Sequence, residues 1–190
     1  VHSERTRPEK RATQMHLDGI QLWVALPKSH EEMEPSFVHH PAATIPHIHL
    51  SGTEIRVLIG KGWDKESPVE TVHPTFYADI QLAAGAELDL PNDMPERAVY
   101  VATGRVSIGD EDLAERRMAV LRNGKTPRLK ASVASRVMLI GGEPLDGDRH
   151  VWWNFVASSK ERIEQAKEDW RQGRFPVVPG DEDERIPLPD

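Results

Sequence analysis

The sequence contains no cysteine, and this absence excludes several classes of protein at once. Without thiols the chain forms no disulfide, no cysteine-ligated zinc or iron–sulfur centre and no thiol nucleophile. A cysteine-free composition is compatible with a reducing compartment, and we predict a cytoplasmic location.

Positive charge and long apolar runs are also scarce. The 24 Lys and Arg residues are outnumbered by 31 Asp and Glu residues, and the net charge of -7 disfavours direct binding to nucleic acid or anionic lipid. No apolar stretch approaches the roughly 20 residues that a membrane-spanning helix needs. The glycine patterns of nucleotide-binding loops and the serine-hydrolase elbow are missing as well. We therefore predict a protein with no membrane contact and no direct nucleic-acid contact.

Short apolar segments separated by turn residues make up most of the chain, and they predict an all-β fold. Gly104, for example, is expected to join two strands in a tight turn. Regular spacing of this kind indicates a sandwich or a barrel. The predicted strands are 19–26, 54–60, 75–83, 97–103, 105–108, 117–122 and 134–141.

One segment near the end of the chain has helical spacing instead. Ser158 and Glu161 have the spacing of a capping box, and apolar residues follow at helical intervals. We predict a helix over 158–172 that covers a sheet edge or barrel mouth with the face bearing Ile163 and Trp170, followed by an irregular tail.

The first residues of the chain offer a candidate metal site. Residues two apart in a strand point to the same face, so His2 and Glu4 could present an imidazole and a carboxylate to one metal ion. This pair of donors suits non-haem iron or a similar divalent metal. Two ligands do not complete a site, and the same pair is also compatible with a solvated chain end.

Several segments together resemble the pirin family, whose members fold as two cupin barrels in one chain. The resemblance spans nearly the whole sequence and is closest in character to bacterial members. It implies an all-β fold with one cupin barrel, the remaining strands of a second barrel, and one C-terminal helix. The segments that carry it are His2-Ser3-Glu4, 19–26, 73–82, 140–145 and 152–156.

The resemblance also implies a domain division. Residues 1–50 correspond to the C-terminal remnant of the first, metal-binding cupin with a linker, and 51–150 to a second cupin without metal. Residues 151–190 would form an exit strand, the helix and a tail that pack back on the barrels. We expect the first half of the first barrel to be absent from this chain.

By resemblance, the intact protein holds Fe(II) or another divalent metal with two histidines from that absent segment together with His2 and Glu4. The implied function is a mononuclear iron-dependent dioxygenase of quercetin type that acts on a small aromatic substrate, with Glu4 as ligand and candidate catalytic proton acceptor. The alternative is a metal-sensing binding module that acts through protein partners as a transcription cofactor. We expect impaired activity and little or no bound metal for the chain as given, and a homodimer formed through the exposed edge of strand 19–26.

By resemblance, metal-binding cupins carry an H-x-H pair, then a Glu and then a Gly, and the second barrel does not fit this metal-binding frame. With Gly104 as the anchor, Arg97 falls in the carboxylate position, and the imidazole positions fall on Pro91 and Asp93 or their preceding neighbours. No histidine occurs between His73 and His150. These residues support the expectation that the second barrel binds no metal.

Two further features have competing interpretations. His47 and His49 followed by Glu54 fit the metal frame superficially, but Ser51-Gly52 interrupts it, and we expect ordinary surface histidines with a metal site as the alternative. Trp152-Trp153 could form a ligand platform, although we expect the two rings to pack on opposite faces, one in the core and one under the helix.

Overall fold

The computed structural model describes His2, Glu4, Thr6, Pro8–Arg11, Thr13 and residues 18–124, 127–182 and 185–189. The chain divides into two compact units. We call Phe37–Leu145 the barrel unit, and Val1–Ser36 together with Asp146–Asp190 the terminal unit. The domain division expected from the resemblance concerns the barrels of the whole protein and stays a prediction.

The barrel unit consists of two antiparallel sheets and a small hairpin. In pairing order, the larger sheet contains β1 (His47–Leu50), β2 (Thr53–Ile59), β5 (Thr75–Leu82), β12 (Ser135–Gly142), β7 (Glu96–Thr103) and β10 (Met118–Val120). The smaller sheet contains β6 (Glu87–Asp89), β11 (Arg128–Ala131), β8 (Arg105–Ile108) and β9 (Glu111–Ala114). The hairpin pairs β3 (Lys61–Gly62) with β4 (Lys65–Glu66), and Ala42–Thr44 forms a single 3-10 turn.

Alternation along the strands explains why these sheets form a core. In β2, Ile55 and Val57 are fully buried, while Glu54 and Arg56 between them are exposed. In the longer strands the same period of two places one row of side chains inside the unit. Each buried Val, Ile or Leu stabilises the fold by roughly 1.5–3 kcal/mol. The buried core residues are Ile55, Val57, Phe76, Ala78, Ile80, Leu82, Leu88, Leu90, Val99, Val101, Val106, Leu129, Ala131, Val137 and Leu139.

The tight turn predicted at Gly104 joins β7 to β8. Its φ of 87° lies in the left-handed region, which residues with a side chain adopt at a cost. The turn also lies directly against the start of β12. An added Cβ would lie 2.5 Å from the carbonyl oxygen of Ala134 and 2.8 Å from the Cα of Ser135. Only glycine fits this position without rearrangement.

The terminal unit contains a short helix, a 3-10 turn, a hairpin and a longer helix. The elements are α1 (Pro8–Arg11), the turn Lys28–His30, β13 (His150–Trp152), β14 (Phe155–Ala157) and α2 (Lys160–Arg171). The predicted helix is therefore present, but its cap differs from the prediction. The Ser159 hydroxyl accepts a hydrogen bond from the Arg162 backbone N–H at 3.2 Å, whereas the Ser158 hydroxyl donates to Glu31 at 2.7 Å. The helix packs against the β13–β14 hairpin, and its buried residues are Ile163 and Ala166.

Both rings of the Trp152-Trp153 pair join one aromatic cluster, which corrects the expectation of opposite faces. The chain turns at Trp153, whose φ is 50°, so the strict alternation of a strand does not continue through the pair. Trp153 contacts Trp170 edge-to-face with ring centroids 5.3 Å apart. The members of this cluster are Trp152, Trp153, Phe155, Trp170 and Phe175.

The strand predicted over 19–26 is wrong, because residues 18–27 contain no strand. A strand persists through hydrogen bonds to a neighbouring strand, and no described strand pairs with this segment. Its end is held instead by Arg149, whose side chain is 6% exposed. The Arg149 guanidinium donates to the carbonyl oxygen of Leu26 at 2.7 Å and to the Asp146 carboxylate at 2.6 Å.

Among the helices of the described ranges, none combines the length and apolar character needed to cross a membrane.

Candidate functional site

His2 and Glu4, the predicted metal ligands, both lie exposed in the terminal unit. The side-chain amide of Gln21 donates a hydrogen bond to Glu4 Oε1 at 3.2 Å. The strand geometry assumed for the pair is not seen, since neither residue belongs to a strand. Their role as ligands stays a prediction.

The donor chemistry of this pair fits iron, but the pair supplies only part of a ligand set. An imidazole nitrogen and a carboxylate oxygen are typical ligands of non-haem iron. Within the described residues, neither His2 nor Glu4 belongs to a cluster of three or more potential metal ligands. We therefore derive no reaction step through a metal from these two residues.

Arg97 is the residue that the resemblance predicts at the carboxylate position of a cupin metal site. It lies on β7 with the inward-facing Val99 and Val101, and only 2% of its surface is exposed. Its guanidinium donates to the carbonyl oxygen of Pro91 at 2.6 Å and to that of Arg122 at 3.3 Å. A guanidinium is always charged and offers no lone pair to a metal, so this position holds a fixed cation.

A buried ion pair on the outer face of the larger sheet was not predicted from the sequence. Asp79 is 5% exposed, and the Arg136 guanidinium donates to both of its carboxylate oxygens at 2.9 Å. Burial raises the pKa of the neighbouring Tyr77, and the negative charge of Asp79 adds to this increase while Arg136 opposes it. The polar positions alternating with apolar ones in β5 were the signal available in the sequence.

His47, His49 and Glu54 converge on the β1–β2 hairpin. Glu54 lies directly opposite His49 across the strands, and Arg56 lies opposite His47. Nε2 of His47 is 3.4 Å from one carboxylate oxygen of Glu54, and Nδ1 of His49 is 3.9 Å from the other. The two imidazole rings have centroids 4.0 Å apart. All three residues are exposed, as expected of surface histidines, but they also form a cluster.

Ser51-Gly52, which was expected to interrupt the metal motif, brings its three residues together. Ser51-Gly52 forms the two-residue connection of the hairpin, with Gly52 at a φ of 70°. The connection folds Glu54 back beside His49 instead of extending it away. A two-residue Ser-Gly connection between alternating segments was the signal that could have placed the three side chains on one face.

Comparison with known proteins shows which family the chain belongs to. A family model described as the pirin C-terminal cupin domain matches residues 77–176, which is more than half of the chain. The chain belongs to the pirin family. Both the predicted family and the predicted all-β cupin fold are thereby confirmed.

Individual pirin relatives match over most of the chain. A pirin-like protein of Caulobacter vibrioides is 46% identical over 175 residues, covering 92% of this chain and 60% of the relative. A Pseudomonas aeruginosa protein, named provisionally as a quercetin 2,3-dioxygenase, is 37% identical over 180 residues, covering 92% of this chain and 61% of the relative. The chain thus spans about three fifths of the length of these curated relatives.

A solved structure gives the same result in three dimensions. The crystal structure of quercetin 2,3-dioxygenase from Acinetobacter baumannii has a TM-score of 0.79 and 29% sequence identity to this chain. The match covers 88% of this pirin chain and 57% of that chain. The cupin architecture is therefore shared with a protein that carries the name of a dioxygenase.

Proposed function

We propose that the whole protein is a mononuclear metal-dependent dioxygenase of the quercetin type, using Fe(II) or another divalent metal. The observation that carries this proposal is the likeness to the quercetin 2,3-dioxygenase structure over 88% of the chain. Membership in the pirin family supports it. The substrate class that follows is a small aromatic molecule with an acidic hydroxyl group.

His2 and Glu4 are the residues that we assign to the metal in this proposal. His2 would bind as a neutral nitrogen ligand and Glu4 as a carboxylate ligand, and Glu4 is also the candidate proton acceptor from the substrate hydroxyl. A divalent metal bound there would lower the pKa of a coordinated hydroxyl group and orient the reactants. Gln21 contributes directly from this chain, because its amide hydrogen bond to Glu4 Oε1 limits the orientations of the carboxylate.

The experiment measures oxygen consumption with quercetin by the full-length protein, before and after reconstitution with Fe(II). We expect His2→Ala and Glu4→Ala to lower both metal content and turnover by at least about 100-fold, since even groups that only orient metal ligands are worth 10–100-fold. His39→Ala is the matched control, because His39 is an exposed histidine of the other unit and should leave both quantities unchanged. Full turnover in the His2→Ala variant would contradict the assignment.

A non-enzymatic binding module that acts through a protein partner is the second candidate. It is supported by the barrel unit, whose core consists of buried hydrophobic side chains and where the buried Arg97 stands at the predicted carboxylate position. Wild-type protein that binds metal fully but shows no oxygen consumption with quercetin would favour this candidate over the enzyme. The homodimer predicted through an exposed edge at 19–26 is no longer supported by a strand there, and it stays a prediction.

A further inference from the structure

We propose that His47, His49 and Glu54 form a surface site for a divalent transition metal of the Zn²⁺ type. The site lies on the β1–β2 hairpin of the barrel unit. It shares no residue with His2 and Glu4, which the proposed dioxygenase uses. The inference is therefore independent of the proposed function.

The distances between the candidate ligand atoms suit one ion. One nitrogen from each histidine and one oxygen from Glu54 all lie within 4.8 Å of one another. A Zn²⁺ ion bonds to His nitrogen and carboxylate oxygen at about 2.0–2.2 Å, which places neighbouring ligand atoms about 3–3.5 Å apart. Nε2 of His47 lies 3.4 Å from Oε2 of Glu54, which meets this, and Nδ1 of His49 lies 3.9 Å from the other oxygen, Oε1, which exceeds it slightly. Small side-chain rotations would complete the geometry.

The backbone holds the three side chains on one face before any ion binds. Four residue pairs fix the register of β1 against β2, including Ile48 opposite Ile55. Ile55 is fully buried and Ile48 packs against the core, so both anchor the opposite face of the hairpin to the interior. A slip of one residue would expose these isoleucines, and the register is therefore strongly specified. Metal binding would therefore involve no entropic cost for ordering the backbone.

The ligand chemistry selects the class of ion. Two imidazoles and one carboxylate suit Zn²⁺ and neighbouring transition metals, whereas Ca²⁺ and Mg²⁺ require mainly oxygen ligands. The side chains of His49 and Glu54 are 66% and 53% exposed, which leaves room for water at the remaining coordination positions. An open position of this kind is typical of three-ligand zinc sites.

One nearby charge opposes cation binding and provides an independent test. Arg56 lies directly opposite His47 and next but one to Glu54, on the same exposed face of β2. Its positive charge should weaken the attraction between this face and a divalent ion. Removal of the Arg56 charge should therefore tighten Zn²⁺ binding although no ligand is changed. A cluster with a purely structural role would show no such effect.

The experiment titrates Zn²⁺ alone into the 190-residue chain in competition with a chromophoric chelator. We expect His49→Ala and Glu54→Gln each to weaken one Zn²⁺ site by at least about tenfold, and Arg56→Gln to tighten the same site by about threefold. His39→Ala and His2→Ala are the controls and should leave this site unchanged. Because His2→Ala removes the proposed iron ligand, it separates failure of this site from failure of the dioxygenase proposal.

Two results would overturn the proposal. One is equal Zn²⁺ affinity and stoichiometry in the wild type, His49→Ala and Glu54→Gln proteins. The other is a stoichiometry of one Zn²⁺ per two chains, since the cluster would then contribute to a bridge between copies and not to a site of its own. The substituted residues are exposed, and circular dichroism of each variant verifies that the fold is retained.

Discussion

The substitution Gly104→Ala should destabilise the barrel unit more than any ordinary surface change. Gly104 combines two constraints that are usually separate, a left-handed backbone and close contact with another strand. Its φ is 87°, and an added methyl group would meet the backbone of Ala134 and Ser135 at the start of β12. The Ser135 hydroxyl is also close and could rotate away, but the carbonyl oxygen of Ala134 and the Cα of Ser135 are backbone atoms that cannot.

The magnitude follows from adding these two costs. Placing a residue with a side chain in the left-handed region costs about 1–2 kcal/mol. Forcing a methyl group against well-packed neighbours costs roughly 1–3 kcal/mol more. We therefore expect the free energy of unfolding to fall by about 2–5 kcal/mol, a large share of the 5–15 kcal/mol that is typical of folded proteins.

The assay is urea denaturation followed by far-ultraviolet circular dichroism, which reports the loss of strands. Gly85→Ala is the matched control, because Gly85 has a φ of 81° but no atom within 4 Å of an added Cβ. This control should lose only the backbone part, about 1–2 kcal/mol. Equal destabilisation of the two variants would refute the reasoning, since it would mean that the contact with β12 costs nothing.

Two further substitutions test ion pairs. Asp79→Asn should lower the free energy of unfolding by about 2–3 kcal/mol. This is somewhat less than for a fully buried pair, because the Arg136 side chain is 31% exposed. A loss below about 0.5 kcal/mol in urea denaturation would contradict this. The hydrogen bond from Arg162 lowers the pKa of Glu32. The ion pair therefore stabilises the fold at pH values above the usual carboxyl range, and this stabilisation is lost as pH falls through the lowered pKa. Glu32→Gln should therefore cost less than about 1 kcal/mol at neutral pH, and the wild type and the variant should converge in acid. A difference that persists at about pH 2 would count against the pair.

The central strands were predictable because each carries its own signal. The predicted segments 75–83, 97–103 and 134–141 correspond to β5 (Thr75–Leu82), β7 (Glu96–Thr103) and β12 (Ser135–Gly142). Most of their inward residues are apolar and alternate with outward-facing ones, with Arg97 of β7 as an exception, so the local sequence predicts most of the burial pattern. Glycine at position 104 marks the turn for the reason given above.

The short outer strands depend on partners that local sequence does not reveal. β6 and β11 contain three and four residues, too few for a periodic pattern. They pair antiparallel, and Arg128 forms a two-bonded contact with Asp89 directly opposite it, at 2.6 and 2.8 Å. The segment 19–26 shows the converse, because a clear alternating pattern forms no strand where the described chain offers no neighbour.

The two candidate metal sites also depend on information that the local sequence does not contain. His2 and Glu4 were first selected by their spacing and then supported by resemblance, but a spacing of two residues does not give their position relative to a complete ligand set. The cluster of His47, His49 and Glu54 was visible as residue types, but its assembly depends on strand register. That register is set by Ile48 and Ile55 on the other face of the hairpin. Long-range packing thus decides which polar side chains meet.

The aromatic cluster of the terminal unit makes the two units optically distinguishable. Of the five tryptophans, Trp63 alone lies in the barrel unit, while the other four lie in the terminal unit. Intrinsic fluorescence therefore reports mainly on the terminal unit, and circular dichroism of the strands mainly on the barrel unit. Unfolding curves recorded by these two signals on one sample will superimpose if the units unfold together and separate if they unfold in turn. In a Trp63→Phe variant, the fluorescence signal comes from the terminal unit alone.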